Sequence, residues 1–173
     1  MTKENKNVET QNEVAEVQET NVTVVQREND EYVILKDENG KFKRKAKFRE
    51  FSSISANTRE EKMWLLNLLE GDEESGNGLK DHVGKIIEVQ DIITRKYDRI
   101  NEDTGEQEYG VLTYLITPDK IAYVTSSKTV YFSITRIMEL FGQPNTPEWE
   151  NIKVKVGKEK AQNGDMIKIK MVG

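Results

Sequence analysis

The chain has 173 residues, of which 35% are apolar and 33% are charged, and its net charge is −5 at neutral pH. This length provides one ordinary hydrophobic core with some unstructured chain, and it is too short for two large domains. The sequence has no cysteine, which excludes disulfides and thiolate metal sites, and no run of about 20 apolar residues predicts a membrane span. We therefore expect a soluble, cytoplasmic protein without membrane association.

The acidic residues are concentrated at the N-terminus. Residues 1–31 contain eight acidic and three basic side chains, whereas the rest of the chain contains 23 of each. The first 21 residues, MTKENKNVETQNEVAEVQETN, carry only isolated apolar side chains, so burial cannot offset the entropy cost of ordering them. We predict a disordered acidic tail at residues 1–21.

A β-hairpin follows the tail. YVILKDENGKFKRKAKF reads as two strands joined at Asn39-Gly40, which is a strong hairpin-turn signal. Because side chains alternate across a strand, five cations fall on one face of the second strand. This basic segment consists of Lys41, Lys43, Lys45, Lys47 and Arg49. The row of like charges favours phosphate binding, although edge strands also carry lysine to prevent aggregation.

A helix is predicted within NTREEKMWLLNLLEG. Thr58 and Glu61 have the spacing of a capping box, and Gly71 is a stop signal. Four apolar residues recur at helical spacing and give this helix one packing face. They are Trp64, Leu65, Leu68 and Leu69.

The order of elements in the remaining chain indicates its fold. GKIIEVQDIITRKY is a long strand with a bend near Gln90, YGVLTYLIT and IAYVT are two further strands, and KTVYFSITRIMELF is a helix capped by Ser126 or Ser127. NIKVKV and MIKIKMV are the last two strands. Three strands, one helix and two strands predict a mainly β protein, a five-stranded OB-fold Greek-key barrel. The helix residues that would plug the barrel are Ile134, Ile137, Met138 and Phe141.

The sequence thus predicts four regions. They are the tail at 1–21, an extension of hairpin plus helix at 22–71, an acidic linker at 72–78, and the OB-fold domain at 79–173. Whether the extension packs on the barrel or on another subunit stays open, as does the oligomeric state.

OB barrels that bind single-stranded nucleic acid use aromatic platforms and cations on strands two and three and the neighbouring loops. The candidate stacking residues are Tyr97, Tyr109, Tyr114 and Tyr123. The candidate phosphate contacts, besides the basic segment, are Arg95, Lys96, Arg99, Lys128, Lys158 and Lys160. Stacking contributes about 1–3 kcal/mol per base without reading sequence. Tyrosine is also a favoured strand residue, so each ring has an alternative interpretation as part of the barrel wall.

No pattern indicates an enzyme. His82 is the one histidine, no glycine-rich phosphate loop is present, and the acidic clusters at 70–74 and 101–108 lack the spacing of a calcium loop. We expect no catalytic activity, no metal and no cofactor.

Two stretches resemble a known family. Tyr123-Val-Thr-Ser-Ser-Lys-Thr-Val before the helix and Ile152-Lys-Val-Lys-Val156 in the last strands are similar to the single-stranded DNA-binding proteins of small phages of Gram-positive bacteria that replicate by protein priming. The resemblance covers about residues 84–173. It implies an OB barrel that coats displaced strands in the host cytoplasm, with Tyr97 and Tyr123 as the first stacking candidates and Tyr109 as a weaker one.

The resulting functional prediction is sequence-independent binding of single-stranded DNA during phage replication, with replication proteins as further partners. A protein-interaction or scaffold module and a single-stranded RNA binder are the alternatives, because nothing in the sequence decides on a 2′-hydroxyl.

Overall fold

The computed structural model describes residues 23–27, 32–36, 39–70, 77–162 and 164–173. The predicted tail and most of the predicted linker lie outside these residues. The described part is mainly β, as predicted. Its strands are β1 (Thr23–Arg27), β2 (Tyr32–Lys36), β3 (Phe42–Ala46), β4 (Phe51–Ser52), β5 (Asn77–Gly78), β6 (Ile86–Glu88), β7 (Asp91–Ile100), β8 (Gln107–Ile116), β9 (Ala122–Thr125), β10 (Lys153–Ala161) and β11 (Gly164–Val172), and its α-helices are α1 (Arg59–Glu70) and α2 (Lys128–Phe141).

The chain divides into two compact units, residues 1–47 and 48–173. The first contains an antiparallel sheet in the order β1-β2-β3. The β2–β3 pairing runs from Tyr32 opposite Ala46 to Lys36 opposite Phe42, which confirms the predicted hairpin. Gly40 in its turn has a φ of +76°, a conformation that favours glycine.

The second unit contains two sheets. One has the strand order β4-β7-β8-β9-β5 and the other β11-β10-β6. β6 and β7 follow each other directly and are interrupted at Val89 and Gln90, so the chain passes from one sheet to the other there. The predicted bend near Gln90 is confirmed. In the described residues the pairings form two open sheets, and not the closed five-stranded ring that the sequence predicted.

Helix α2 lies between β9 and β10 in the chain and starts at a defined cap. The Ser127 hydroxyl accepts a hydrogen bond from the Val130 amide at 3.5 Å and donates to the Ile167 carbonyl at 2.7 Å. This assigns the cap to Ser127, one of the two predicted serines. The second bond ties the start of α2 to β11.

The inner face of α2 belongs to the main core. Ile134 and Ile137 are buried, and Met138 is partly buried against the same cluster. Phe141 was predicted to join them, but it is 38% exposed, since it occupies the last position of the helix.

Helix α1 begins with the predicted capping box. The Glu61 amide donates to the Thr58 hydroxyl and the Thr58 amide to the Glu61 carboxylate, both at 3.1 Å. The amides of Thr58 and Asn57 hold the pKa of Glu61 below its ordinary value. The apolar face of α1 packs on β7, β8 and β9, so α1 is part of the second unit. Neither helix is long and apolar enough to cross a membrane.

Candidate nucleic-acid interface

The β7–β8 pair carries most of the predicted site. Its ten residue pairs run without a register shift from Asp91 opposite Ile116 to Ile100 opposite Gln107. Because alternate residues share a face, one side of the pair, here called the Tyr97 face, is fixed by this register. It consists of Ile93, Arg95, Tyr97 and Arg99 with their partners Tyr114, Leu112, Gly110 and Glu108.

Helix α1 covers one half of the Tyr97 face. Ile93 and Tyr114 are 4% and 2% exposed and pack with α1. Arg95 donates from Nη1 to the Leu69 carbonyl at 2.9 Å, in the last turn of the helix, where carbonyls lack helical partners. Tyr114 therefore has no ring face for a base, contrary to the prediction, and Arg95 caps a helix.

The other half of the Tyr97 face, here called the surface half, contains Tyr97 and Arg99. Tyr97 is half-buried and Arg99 is exposed, with the guanidinium carbon 5.3 Å from the ring centroid, a cation–π distance. Arg99 Nε also donates to a Glu108 carboxylate oxygen at 2.9 Å. The pKa of Glu108 lies below its ordinary value because Asn101 and then Arg99 donate hydrogen bonds to it. An aromatic ring and a cation thus lie together at the surface.

Tyr109 and Lys96 point to the opposite face of the same pair. Tyr109 is half-buried, and its ring centroid is 5.6 Å from that of Phe48. Phe48 in turn meets the Tyr131 ring edge-to-face at 5.2 Å. The Lys96 side chain is exposed, and its amide donates to Glu50 at 3.2 Å. The predicted tyrosines and cations therefore do not share a single wall.

Tyr123 is a core residue. It is 2% exposed in the main cluster, and its hydroxyl accepts a hydrogen bond from the Lys85 ammonium. The His82 ring lies edge-on to it at 4.9 Å. Burial on this scale leaves no ring face for a base, so the stacking role that the resemblance implied for Tyr123 disagrees with its place in the fold.

Three predicted cations lie at the start of α2 and on the last hairpin. Lys128 is exposed and lines a groove of about 630 Å³ together with Asp165 at the start of β11. Lys158 pairs with Asp165 at 2.5 Å, and Lys160 lies opposite Asp165 in the strand register. The sequence placed Lys158 and Lys160 in a loop, but β10 extends to Ala161 and both are strand residues.

The basic segment is divided between the two units. Lys41 is exposed, Lys45 and Lys47 are half-buried, and the Lys43 side chain lies outside the described residues. Arg49 belongs to the second unit, where its amide donates to the Tyr131 hydroxyl at 2.8 Å and its side chain is exposed.

Comparisons with known proteins agree with the sequence motifs. The sequence model of the family described as "Phage Single-stranded DNA-binding protein" matches residues 45–171. The chain belongs to this family. A relative named "Single-stranded DNA-binding protein" from Bacillus phage GA-1 is 40% identical over 164 residues, 94% of this chain and 96% of the relative. No solved structure matches. The resemblance is confirmed and reaches well beyond residues 84–173.

The motifs that first suggested the phage family have structural roles in this member. Tyr123 is buried and Ser127 caps α2, whereas Val154 and Val156 are core residues of β10. In this chain the motifs therefore contribute to the fold. The surface half of the Tyr97 face carries a different signal, a glycine at position 110 inside a strand pattern, which is typical of a close approach by another group. Sequence reasoning did not use that signal.

Proposed function

We propose that this chain binds single-stranded DNA without reading its sequence, and that it coats displaced strands during phage DNA replication. Membership of the phage family supports the ligand class. The observation that carries the proposal is the surface half of the Tyr97 face, where Tyr97 and Arg99 lie together on a regularly paired ribbon.

This surface has the chemistry that sequence-independent binding needs. Every base has a π-face, so one stacked tyrosine contributes about 1–3 kcal/mol whatever the base is. Arg99 can then contact a neighbouring phosphate. Its partner Glu108 is a surface carboxylate, and exposed ion pairs are worth only about 0–1 kcal/mol, so a phosphate can replace it.

We further propose that the second unit is an opened variant of the OB fold. The bent β6–β7 segment that serves both sheets, the pairing of β10 with β6, and the position of α2 between β9 and β10 support this assignment. In this scheme Lys128 at the groove beside α2, together with Lys158 and Lys160 on β10, supplies phosphate contacts. The basic segment provides a further set of contacts. No step in this function requires catalysis or a cofactor.

The test is a fluorescence titration of the full chain with oligo-dT of increasing length at several salt concentrations. We expect affinity to grow with oligonucleotide length. The logarithm of the association constant should fall linearly with the logarithm of salt concentration, by about 0.7 per phosphate neutralised. Tyr97→Ala should weaken binding, and Tyr97→Phe, which keeps the ring, is the matched control.

Two outcomes would contradict the proposal. Tighter binding to oligo-U RNA than to the matching DNA would favour the RNA-binding alternative. Failure to bind any single strand at low salt would favour the scaffold alternative.

A further inference from the structure

Gly110 lies inside β8, directly opposite Tyr97. Glycine weakens a strand interior, so its presence there calls for a reason. Its backbone has an ordinary strand conformation, which other residues adopt, so conformation does not supply one. Space does. A Cβ at position 110 would lie 2.4 Å from the Tyr97 hydroxyl oxygen, 2.5 Å from Cζ and 2.7 Å from Cε1, distances at which atoms overlap.

These distances define the pose of the ring. The outer end of Tyr97 can come this close to its cross-strand neighbour only if the ring leans across the pair and rests on the backbone of β8. A ring held in this way has fewer rotamers available before DNA binds. Binding then costs less conformational entropy than it would for a freely rotating side chain.

Arg99 and its carboxylate partner Glu108 also restrict the space around the Tyr97 ring. Arg99 lies 5.3 Å from the ring centroid, and Glu108 holds the guanidinium at 2.9 Å. Asn101 Nδ2 donates to the other Glu108 oxygen at 2.8 Å, so the carboxylate is itself fixed. The ring, the cation and its carboxylate form one connected arrangement on the surface half of the Tyr97 face.

We propose that Gly110 is a positioning residue for DNA binding, and that the missing side chain lets Tyr97 lie across β8 as a preformed stacking platform. This inference rests on the proposed function. Alanine at position 110 would push the ring away from the strand and remove the preformed pose.

Gly110→Ala tests the inference in the full-length protein. We expect it to lower affinity for oligo-dT toward the level of Tyr97→Ala, a loss of about 5- to 150-fold for one stacked base. Gly157→Ala is the matched control, since Gly157 is also a strand glycine and faces Lys168. A Cβ there would lie 3.3 Å from Lys168 Cγ, an atom of a flexible side chain that can shift. Gly157→Ala should bind like the wild type.

A double-mutant cycle separates positioning from general strand damage. In a Tyr97→Ala background, Gly110→Ala should cause no further loss of affinity, because its effect acts through the ring. An equal loss in both backgrounds would overturn the inference. So would wild-type affinity of the single variant Gly110→Ala.

A measurement on the wild-type protein covers the case in which Gly110→Ala does not fold. The Gly110 Hα resonances should be shifted upfield by the ring current of Tyr97, and the shift should disappear in Tyr97→Ala. Ordinary Hα shifts in the wild type would overturn the inference. If the shifts are present but oligo-dT does not bind, the proposed function fails while the ring position stands.

Discussion

The two halves of the Tyr97 face share their strands, their register and their orientation, yet they have different roles. Tyr114 in one half is 2% exposed beneath α1, whereas Tyr97 in the other half reaches the surface and carries Arg99. Strand position therefore does not decide which tyrosine can meet a base. Whether a tyrosine on this face can contact a base depends on how far α1 extends over the sheet. The contact of Arg95 with the Leu69 carbonyl lies at the border between the two halves.

The largest expected difference between the halves is in stability. Tyr114→Ala should lower the free energy of unfolding by about 3–5 kcal/mol, because it removes a buried aromatic side chain under α1. Tyr97→Ala should lower it by only about 1 kcal/mol, the typical cost of a point substitution, because the Tyr97 ring is half-buried and not part of the core cluster under α1. Urea unfolding followed by circular dichroism measures both. Equal free energies of unfolding for the two variants would contradict the distinction between the two halves of the Tyr97 face.

For DNA affinity we expect the reverse order, with the larger loss caused by the substitution of Tyr97. Tyr97→Ala should weaken oligo-dT binding by about 1–3 kcal/mol per stacked base, since it removes the proposed stacking ring. Tyr97→Phe should retain most of the affinity. A titration in which both variants bind like the wild type would show that the surface half of the Tyr97 face is not the stacking surface.

The helix that covers the other half should depend on its capping box. Thr58→Ala should cost about 1 kcal/mol of unfolding free energy by leaving a first-turn amide without its acceptor, and should not change DNA affinity.

The contribution of the capping box to the free energy of unfolding should also depend on pH. Because the pKa of Glu61 is lowered in the folded protein, its contribution is present above the unfolded pKa and is lost as pH falls through the folded pKa. The stability difference between wild type and Glu61→Gln should therefore shrink in acid. A constant or growing difference in urea unfolding at falling pH would contradict this reading.

The smallest effects concern single cations. Arg99→Gln and Lys128→Gln should each reduce the salt slope of oligo-dT binding by about 0.7, the value for one phosphate contact on a single strand. Lys155→Gln is the control, since this exposed lysine of β10 lies outside the proposed contacts. A control slope that falls as much as the other two would indicate charge effects without a defined site.

The sequence predicted the structural features that depend on residues close together in the chain. The Asn39-Gly40 turn, the Thr58 and Glu61 capping box, the bend near Gln90 and the Ser127 cap follow from local chemistry, and the structure contains all of them.

The interface was harder to predict because it depends on distant contacts. Nothing near Tyr114 in the sequence indicates that α1 covers it, and nothing near Tyr109 indicates that Phe48 packs on it. Tyr123 carried a family motif, but burial beside Lys85 explains its place in the chain. Strand alternation alone does separate Tyr97 from Tyr109 once the register is known.

The most direct test is photocross-linking of the full chain to an oligo-dT that contains 5-iodouracil, followed by mass spectrometry of the linked peptides. We predict that Tyr97 is the principal cross-linked tyrosine and that Tyr114 and Tyr123 remain unmodified. Cross-links at Tyr114 or Tyr123, with Tyr97 unmodified, would contradict the assignment of the surface half of the Tyr97 face as the DNA-binding surface.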